Sequence, residues 1–177
     1  VLVTGASGFL GGHLVQTLVA QGVTPRILLR PHSQRATLPL DRVEIQEGDL
    51  RNPDALKKAV EGVSLVYHCA ATMKGAKEAF FESNVTGTQQ LLAAAQAAGV
   101  QRFLHISSVA VYGPGKKTII HEEEGYDPFP QQRGYYTWTK IESDRVALQF
   151  AKEQHFPVTV LRPGIIYGPG AKIGRAH

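Results

Sequence analysis

The stretch "VLVTGASGFLGGHL", residues 1–14, decides how the rest of the chain is read. Three small apolar residues run into Thr4, and glycines follow at positions 5, 8 and 11. The apolar run reads as a strand. The apolar spacing from Phe9 to Gln21, with Gly22 just beyond, reads as a helix. The glycines therefore fall on a strand-to-helix turn. There Gly5 permits a tight turn, Gly8 lets backbone approach a pyrophosphate, and Gly11 lets helix and sheet pack closely. The helix start offers free N–H groups and a partial positive charge to phosphates. The spacing is neither G-x-G-x-x-G nor G-x-x-x-x-G-K-[ST], which disfavours an ATP-type loop and leaves a dinucleotide as the expected ligand. A structural loop without a ligand is the plain alternative.

Outward from this turn, strand and helix signals alternate. "PRILLR" (25–30), "VEIQEGD" (43–49), "SLVYHCAA" (64–71), "RFLHISS" (102–108) and "PVTVLRP" (157–163) read as further strands. Helices are expected from Pro53 to Glu61, from Ala79 to Ala98 and from Tyr135 to Gln154, the first two closed by Gly62 and Gly99. Residues 113–134 read as a Pro/Gly/Glu-rich loop. Near-continuous apolar strands separated by helices indicate an α/β fold, a Rossmann-type doubly wound parallel sheet with helices on both faces. Ligands of such sheets sit at the carboxyl ends of the strands, where strand order reverses.

Composition narrows the function classes. The chain has 177 residues, 43% hydrophobic and 19% charged, about one domain with a real core. A net charge of +4 suits a phosphate-bearing ligand. The basic residues are scattered and not interleaved with aromatics, which argues against nucleic acid. Cys69 is the single cysteine, so no internal disulfide can form, and a reducing, cytoplasmic setting is expected. No run of about 18 apolar residues is present and no signal peptide is visible, so no membrane association is expected. The seven histidines show no metal-ligand spacing, so no metal site is expected. His13, His105 and His155 read as packing or surface residues, and Glu122-Glu123-Glu124 as a solvated loop.

Two constellations carry chemistry. Tyr136 and Lys140 are four apart and share one face of the expected helix, whereas Tyr135 does not share the Lys140 face. A phenol titrates near about 10, and a neighbouring ammonium would bring it towards the range useful for general acid–base catalysis. Ser108 ends the fifth strand, where its hydroxyl can bond a substrate oxygen or relay its proton. The plain readings are an exposed i,i+4 pair and a strand-end cap. At the end of the second strand stands Arg30, where an acidic residue would favour NAD. A guanidinium there suits a 2′-phosphate and favours NADP over NAD.

The glycine turn resembles the T-G-x-x-G-x-x-G signature of the extended short-chain dehydrogenase/reductase family, the NAD(P)-dependent epimerase/dehydratase group. "GDL" (48–50), "HCAA" (68–71), "NVTGT" (84–88), "SSVAVYG" (107–113), "YYTWTK" (135–140) and "RPGIIYGP" (162–169) are similar to further motifs of that family, in the same order. The resemblance implies cofactor contacts from Gly5, Ser7, Gly8, Phe9, Leu10, Gly11, Arg30, Asp49, Leu50, Ala70, Ala71, Tyr136, Lys140 and Pro163. In that frame Asp49 bonds the adenine amino group, Leu50 packs on the ring and Lys140 bonds the cofactor ribose. It also implies Ser108, Tyr136 and Lys140 as the catalytic set, with Asn84 supporting a proton relay or merely packing. Alignment to the "VYG" that follows selects Ser108 over Ser107.

The reaction implied is hydride transfer at a small-molecule substrate. A nucleotide-sugar epimerase is favoured by "SSVAVYG" and "RPGIIYGP"; an NADP-dependent reductase or dehydrogenase of a ketone or hydroxyl, similar to dihydroflavonol reductases or hydroxysteroid dehydrogenases, is favoured by Arg30. The 4,6-dehydratase pattern Thr-Asp-Glu is replaced here by Ser108-Val109-Ala110. A non-catalytic NAD(P)-binding regulator is the third reading, against which the tyrosine–lysine pair speaks. A homodimer through the helices at 79–98 and 136–154 is expected of the full-length protein. Both ends look cut. The chain opens inside an apolar run without Met, and residues 1–170 form the expected NAD(P)-binding domain. The codons ATC-GGA-AGA-GCA-CAC would encode Ile173 to His177 and match a common sequencing adapter, so residues 171–177 are expected to be a non-native tail. The C-terminal, substrate-binding part of the family fold is then missing. Alone, such a fragment is expected to bind cofactor weakly and turn over nothing.

Overall fold

The computed structural model describes residues 1–114 and 119–171. Residues 172–177, on which the tail reading rests, lie outside them. Six parallel strands form one sheet in the order β3-β2-β1-β4-β5-β6, with β1 at Leu2–Thr4, β2 at Arg26–Leu29, β3 at Glu44–Glu47, β4 at Leu65–His68, β5 at Arg102–Ile106 and β6 at Val158–Leu161. This is the doubly wound order, with the chain reversing direction across the sheet between β1 and β4. Val3 lies opposite Ile27 on one side and Tyr67 on the other.

Neighbouring strand residues point to opposite faces, and here both faces are covered. Leu2 joins one core with Leu56, Val66, Leu91, Leu92 and Phe103. Val3 joins the other with Val15, Ile27, Leu29 and Leu38. Burial on both sides is why β1, β2 and β4 are apolar without alternation. At the edge, β3 carries Glu44 and Glu47, which pair with Arg26 and Arg35. Charge on an edge strand discourages further strand addition.

The helices are α1 (Phe9–Ala20), α2 (Pro53–Val60), α3 (Lys77–Phe80), α4 (Gly87–Ala97) and α5 (Tyr135–Gln154). The Asn52 side chain caps α2, accepting from the amides of Asp54 and Ala55, and Pro53 opens the helix. Between α3 and α4 lies a π-helical turn, Phe81–Thr86, so the single α-helix expected over 79–98 is corrected to three segments. The wider turn places Asn84 inward, while Gly87 abuts Leu50 so closely that a Cβ would fall 2.8 Å from the leucine Cβ. Regular 3.6-residue winding would not serve both faces.

The strands also end earlier than their apolar runs suggest, at Glu47, His68 and Ile106. Asp49, Ala70, Ala71 and Ser108 therefore stand beyond the ladder. Their backbone is released from sheet pairing at the end of the strands where a ligand approaches.

Candidate active site

The first turn is built against the backbone after β4. Gly5 has φ +72°, and a Cβ there would lie 2.6 Å from the Ala70 nitrogen. A Cβ on Gly11 would collide with the Gly5 carbonyl. The third glycine thus admits the turn's own backbone, a refinement of the expected helix–sheet contact. Gly8 differs from both. Its φ of −85° is ordinary, and its Cβ would meet only the Gly5 oxygen at 3.2 Å. The fold itself asks little of Gly8, which agrees with a demand from a group approaching from outside. α1 starts at Phe9 with no side-chain cap and no acidic residue in its first turn, so its leading amides remain available to an anion.

A cavity of about 240 Å³ opens over this turn. Gly5, Ser7, Gly8, Arg30, Asp49, Leu50, Ala70 and Ala71 line it, as expected for a cofactor cleft. Thr4, Leu28, Ser33, Gly48, Cys69, Thr72 and Ser83 line it too, and none of these is among the cofactor contacts expected from the sequence. Thr4 and Thr72 could have been found by asking which polar side chains sit at the carboxyl ends of β1 and β4. Phe9, Leu10, Gly11, Tyr136, Lys140 and Pro163 are not on its wall. Phe9 meets His13 edge to face, and the Pro163 carbonyl accepts from the Val109 amide at 3.0 Å. Asp49 is already held by Arg51, through Nε at 2.9 Å and the backbone amide at 3.0 Å. The Arg51 hydrogen bond keeps that carboxyl below the usual carboxylate range. Arg30 is exposed and its guanidinium has no hydrogen-bond or ion-pair partner among the described residues, whereas Arg35 is engaged by Glu47. Burial pushes the Cys69 thiol up to about 11, so it is unreactive at neutral pH, as expected of a half-buried thiol.

Ser108, Tyr136 and Lys140 gather further along the strand ends. The Ser108 backbone leaves β5 and its hydroxyl accepts from the Ala110 amide at 3.2 Å. Burial raises the Tyr136 phenol above its ordinary value, and the neighbouring Ser108 hydroxyl pulls the other way. The lowering of Tyr136 by Lys140 expected from sequence is not found. Lys140 is buried, and its ammonium donates to the Ile106 carbonyl at 2.7 Å. Burial brings that amine down to about 8, with Asp144 opposing. Tyr135 stacks near Phe80 and is well exposed, away from Ser108.

Asn84 does not reach Lys140 by any hydrogen bond among the described residues. Its oxygen accepts from the Thr72 amide at 2.6 Å, and its nitrogen donates to the Thr72 carbonyl and to Thr139 Oγ1. Asn84 thus ties the segment after β4 to α5. A second buried group, missed in the sequence, lies behind Lys140. Asp144 accepts from Arg162 Nε at 2.9 Å, and Arg162 also bonds the hydroxyls of Tyr112 and Tyr126. Burial works against an ionised Asp144, but the Arg162 hydrogen bond, with His105 and Ser107 close by, outweighs it and holds the carboxyl low. Asp144 is four residues beyond Lys140, a helical spacing that could have pointed to it.

The family model of the NAD dependent epimerase/dehydratase family matches residues 1–177. The chain belongs to this family. A "Sterol demethylase protein B" from Methylococcus capsulatus is 35% identical over 171 residues, covering 95% of this chain and 52% of that protein. A "3 beta-hydroxysteroid dehydrogenase/Delta 5-->4-isomerase" from Mycobacterium tuberculosis is 35% identical, covering 96% of this chain and 48% of that protein. A dTDP-glucose 4,6-dehydratase from Streptomyces venezuelae, solved with NAD bound, superposes with a TM-score of 0.82 at 32% identity, over 91% of this chain and 54% of that one. The chain spans about half the length of the curated relatives it matches.

The epimerase/dehydratase cradle fits a dinucleotide on its own chemistry. The compressed Gly5–Gly11 turn, the uncapped start of α1 and the cavity running to Asp49 and Ala70 supply a phosphate site and a cleft beside it. Among the described residues no helix is long and apolar enough to cross a membrane.

Proposed function

We propose that the whole protein is an NAD(P)-dependent oxidoreductase acting on a carbon that bears a hydroxyl or a ketone, with Ser108, Tyr136 and Lys140 as its catalytic residues. The observation that carries this reading is the placement of Ser108 just beyond β5, next to the half-buried Tyr136 phenol, with Lys140 buried one turn along α5 and bonded to the Ile106 carbonyl. A bound nicotinamide supplies or takes up the hydride. Tyr136 gives its phenolic proton to the oxygen as a ketone is reduced, and takes it back in oxidation. Ser108 offers its hydroxyl to that oxygen and steadies the charge that changes on it. Lys140, lowered to about 8, can exchange a proton near neutral pH. The cofactor would be held by the Gly5–Gly11 turn, Asp49, Ala70 and Ala71.

NADP rather than NAD is the proposed cofactor form. The unengaged Arg30, with Ser33 beside it on the cavity wall, supports this, since a guanidinium suits a 2′-phosphate. The NAD seen in the Streptomyces protein supports the alternative form. The substrate proposed is an apolar alcohol or ketone. Exposed apolar side chains follow β4, β5 and β6 at Met73, Val109, Ile165, Ile166 and Tyr167, and the sterol and hydroxysteroid relatives support the same class. A nucleotide sugar is the second reading, favoured by the dTDP-glucose dehydratase likeness. A cytoplasmic homodimer through α3–α4 and α5 completes the proposal.

The test is Tyr136→Phe in the whole protein, assayed with NADPH and a panel of apolar ketones and UDP-sugars. Turnover is expected to fall by at least about a hundredfold while NADPH still binds. Unchanged turnover would remove Tyr136 from the mechanism.

A further inference from the structure

A line of buried hydrogen bonds crosses the molecule beneath the cavity. The Ala70 amide donates to Thr4 Oγ1 at 3.3 Å, and Thr4 Oγ1 lies 2.7 Å from His68 Nδ1. On the far side, His68 Nε2 lies 2.9 Å from Thr88 Oγ1, which donates to the Asn84 carbonyl at 2.7 Å. The Asn84 side chain then grips Thr72 and Thr139. Thr139 lies between Tyr136 and Lys140 on α5.

The proton positions along this line follow from counting. Thr88 has one hydroxyl proton and gives it to the Asn84 carbonyl, so towards His68 it only accepts. His68 Nε2 therefore carries the ring proton. A neutral ring then leaves Nδ1 bare, and Thr4 donates to it while accepting from Ala70. Every donor has one acceptor, and no group is left over. His68 is 1% exposed and packs beside the rings of Phe103 and His105, and both of its ring nitrogens are taken by the two threonine hydroxyls. Burial, with His105 and Lys140 nearby, holds His68 well below its ordinary range, in agreement with a neutral ring.

We infer that His68 is a positioning residue: as the neutral Nε2–H tautomer it fixes the Ala70 backbone of the cofactor cradle relative to the π turn that braces α5. The inference rests on the cavity being the dinucleotide site. Its two ends have different chemical requirements. The cradle end needs an acceptor at Nδ1, and the π-turn end needs a donor at Nε2.

Substitutions separate these ends. Asparagine can place an oxygen near the Nδ1 position, and glutamine can place an NH₂ near the Nε2 position. In the whole protein, His68→Asn is expected to hold NADPH within about twofold of the unmodified affinity, and His68→Gln to bind about five- to tenfold more weakly, the effect of about one hydrogen bond. Both variants are expected to lose thermal stability alike. A role confined to stability would lower both affinities together, and equal affinities would overturn the inference. Nitrogen chemical shifts of ¹⁵N-histidine-labelled protein give a reading that needs no variant to fold. They should show a neutral His68 with its proton on Nε2 from about pH 5 to 8. A proton on Nδ1, or titration inside that window, would overturn the inference. Failure of the unmodified protein to bind NADPH or NADH would instead count against the cofactor reading.

Discussion

Gly5 and Gly8 stand three residues apart and are glycine for different reasons. At Gly5 the backbone takes φ +72° with Ala70 pressed against it, so a side chain conflicts with the fold itself. At Gly8 a Cβ would need only a few tenths of an ångström of relaxation. Gly8→Ala is therefore expected to unfold in urea within about 1 kcal/mol of the parent while weakening NADPH binding about tenfold or more. Gly5→Ala is expected to lose about 2 kcal/mol or more of stability. The same denaturation and titration experiments compare the two, and normal binding by the Gly8→Ala variant would deny that a ligand approaches there. Lys140 makes a second residue-level prediction. Its folded amine is lowered to about 8 from 10.5, so between those values the unfolded chain binds more protons than the native one. Stability should then rise with pH across that window, because the burial cost of the ammonium disappears as it deprotonates. Relative to Lys140→Met, the unmodified protein is expected to gain about 2–3 kcal/mol between pH 8 and 10. Parallel urea midpoints for the two proteins across that range would show the assignment to be wrong.

Among the elements, those governed by local pattern are legible in the sequence and those governed by tertiary demand are not. Apolar spacing bounds α5 correctly, and Asn52-Pro53 and Gly62 do the same for α2. The π turn is invisible, because Phe81–Thr86 holds no glycine or proline to interrupt the expected helix, while the need for it comes from Thr72, Thr139 and Leu50. Spacing finds Ser108 and Tyr136, yet it misjudges the phenol's environment, because burial and the attachment of Lys140 to Ile106 depend on how α5 lies against β5. The same packing produces the Arg162–Asp144 joint, which ties the end of β6 to α5 and to the segment after β5 through Tyr112. Arg162→Lys leaves a charge but not the planar fork that bonds several acceptors at once. It is expected to lose about 2–3 kcal/mol at neutral pH, measured by urea unfolding. Asp144 is held low, so its stabilisation is present above its unfolded value and is lost as pH falls through the folded one. The parent should therefore lose more of its advantage over Arg162→Lys below about pH 4. An advantage that does not change on acidification would dissociate Asp144 from Arg162.

Across the whole molecule, cofactor and substrate functions divide along the sheet. The cavity belongs to the carboxyl ends of β1, β2, β3 and β4, where glycine, Asp49 and Arg30 meet. Beyond it, on the loops after β4, β5 and β6, large apolar side chains face outward, with Met73 70% and Ile165 93% exposed. Such exposure is costly in a cluster and marks a contact surface. The family assignment is legible because the motifs sit on the cofactor side. The proposed substrate is not, because the apolar surface that supports it is built from loops whose residues carry no periodic signal. If that surface receives an apolar substrate, burying one such side chain contributes about 2 kcal/mol. Met73→Asp and Ile165→Asp are therefore expected to raise KM for a hydroxysteroid or similar apolar alcohol at least about tenfold. Neither side chain touches the glycine turn or the buried cores, so the Kd for NADPH and the urea midpoint should remain those of the parent. Steady-state kinetics with the apolar alcohol and with UDP-glucose, run beside the NADPH titration, separate the readings. Turnover of UDP-glucose in preference to the alcohol, with both aspartates tolerated, would move the assignment to the nucleotide sugar.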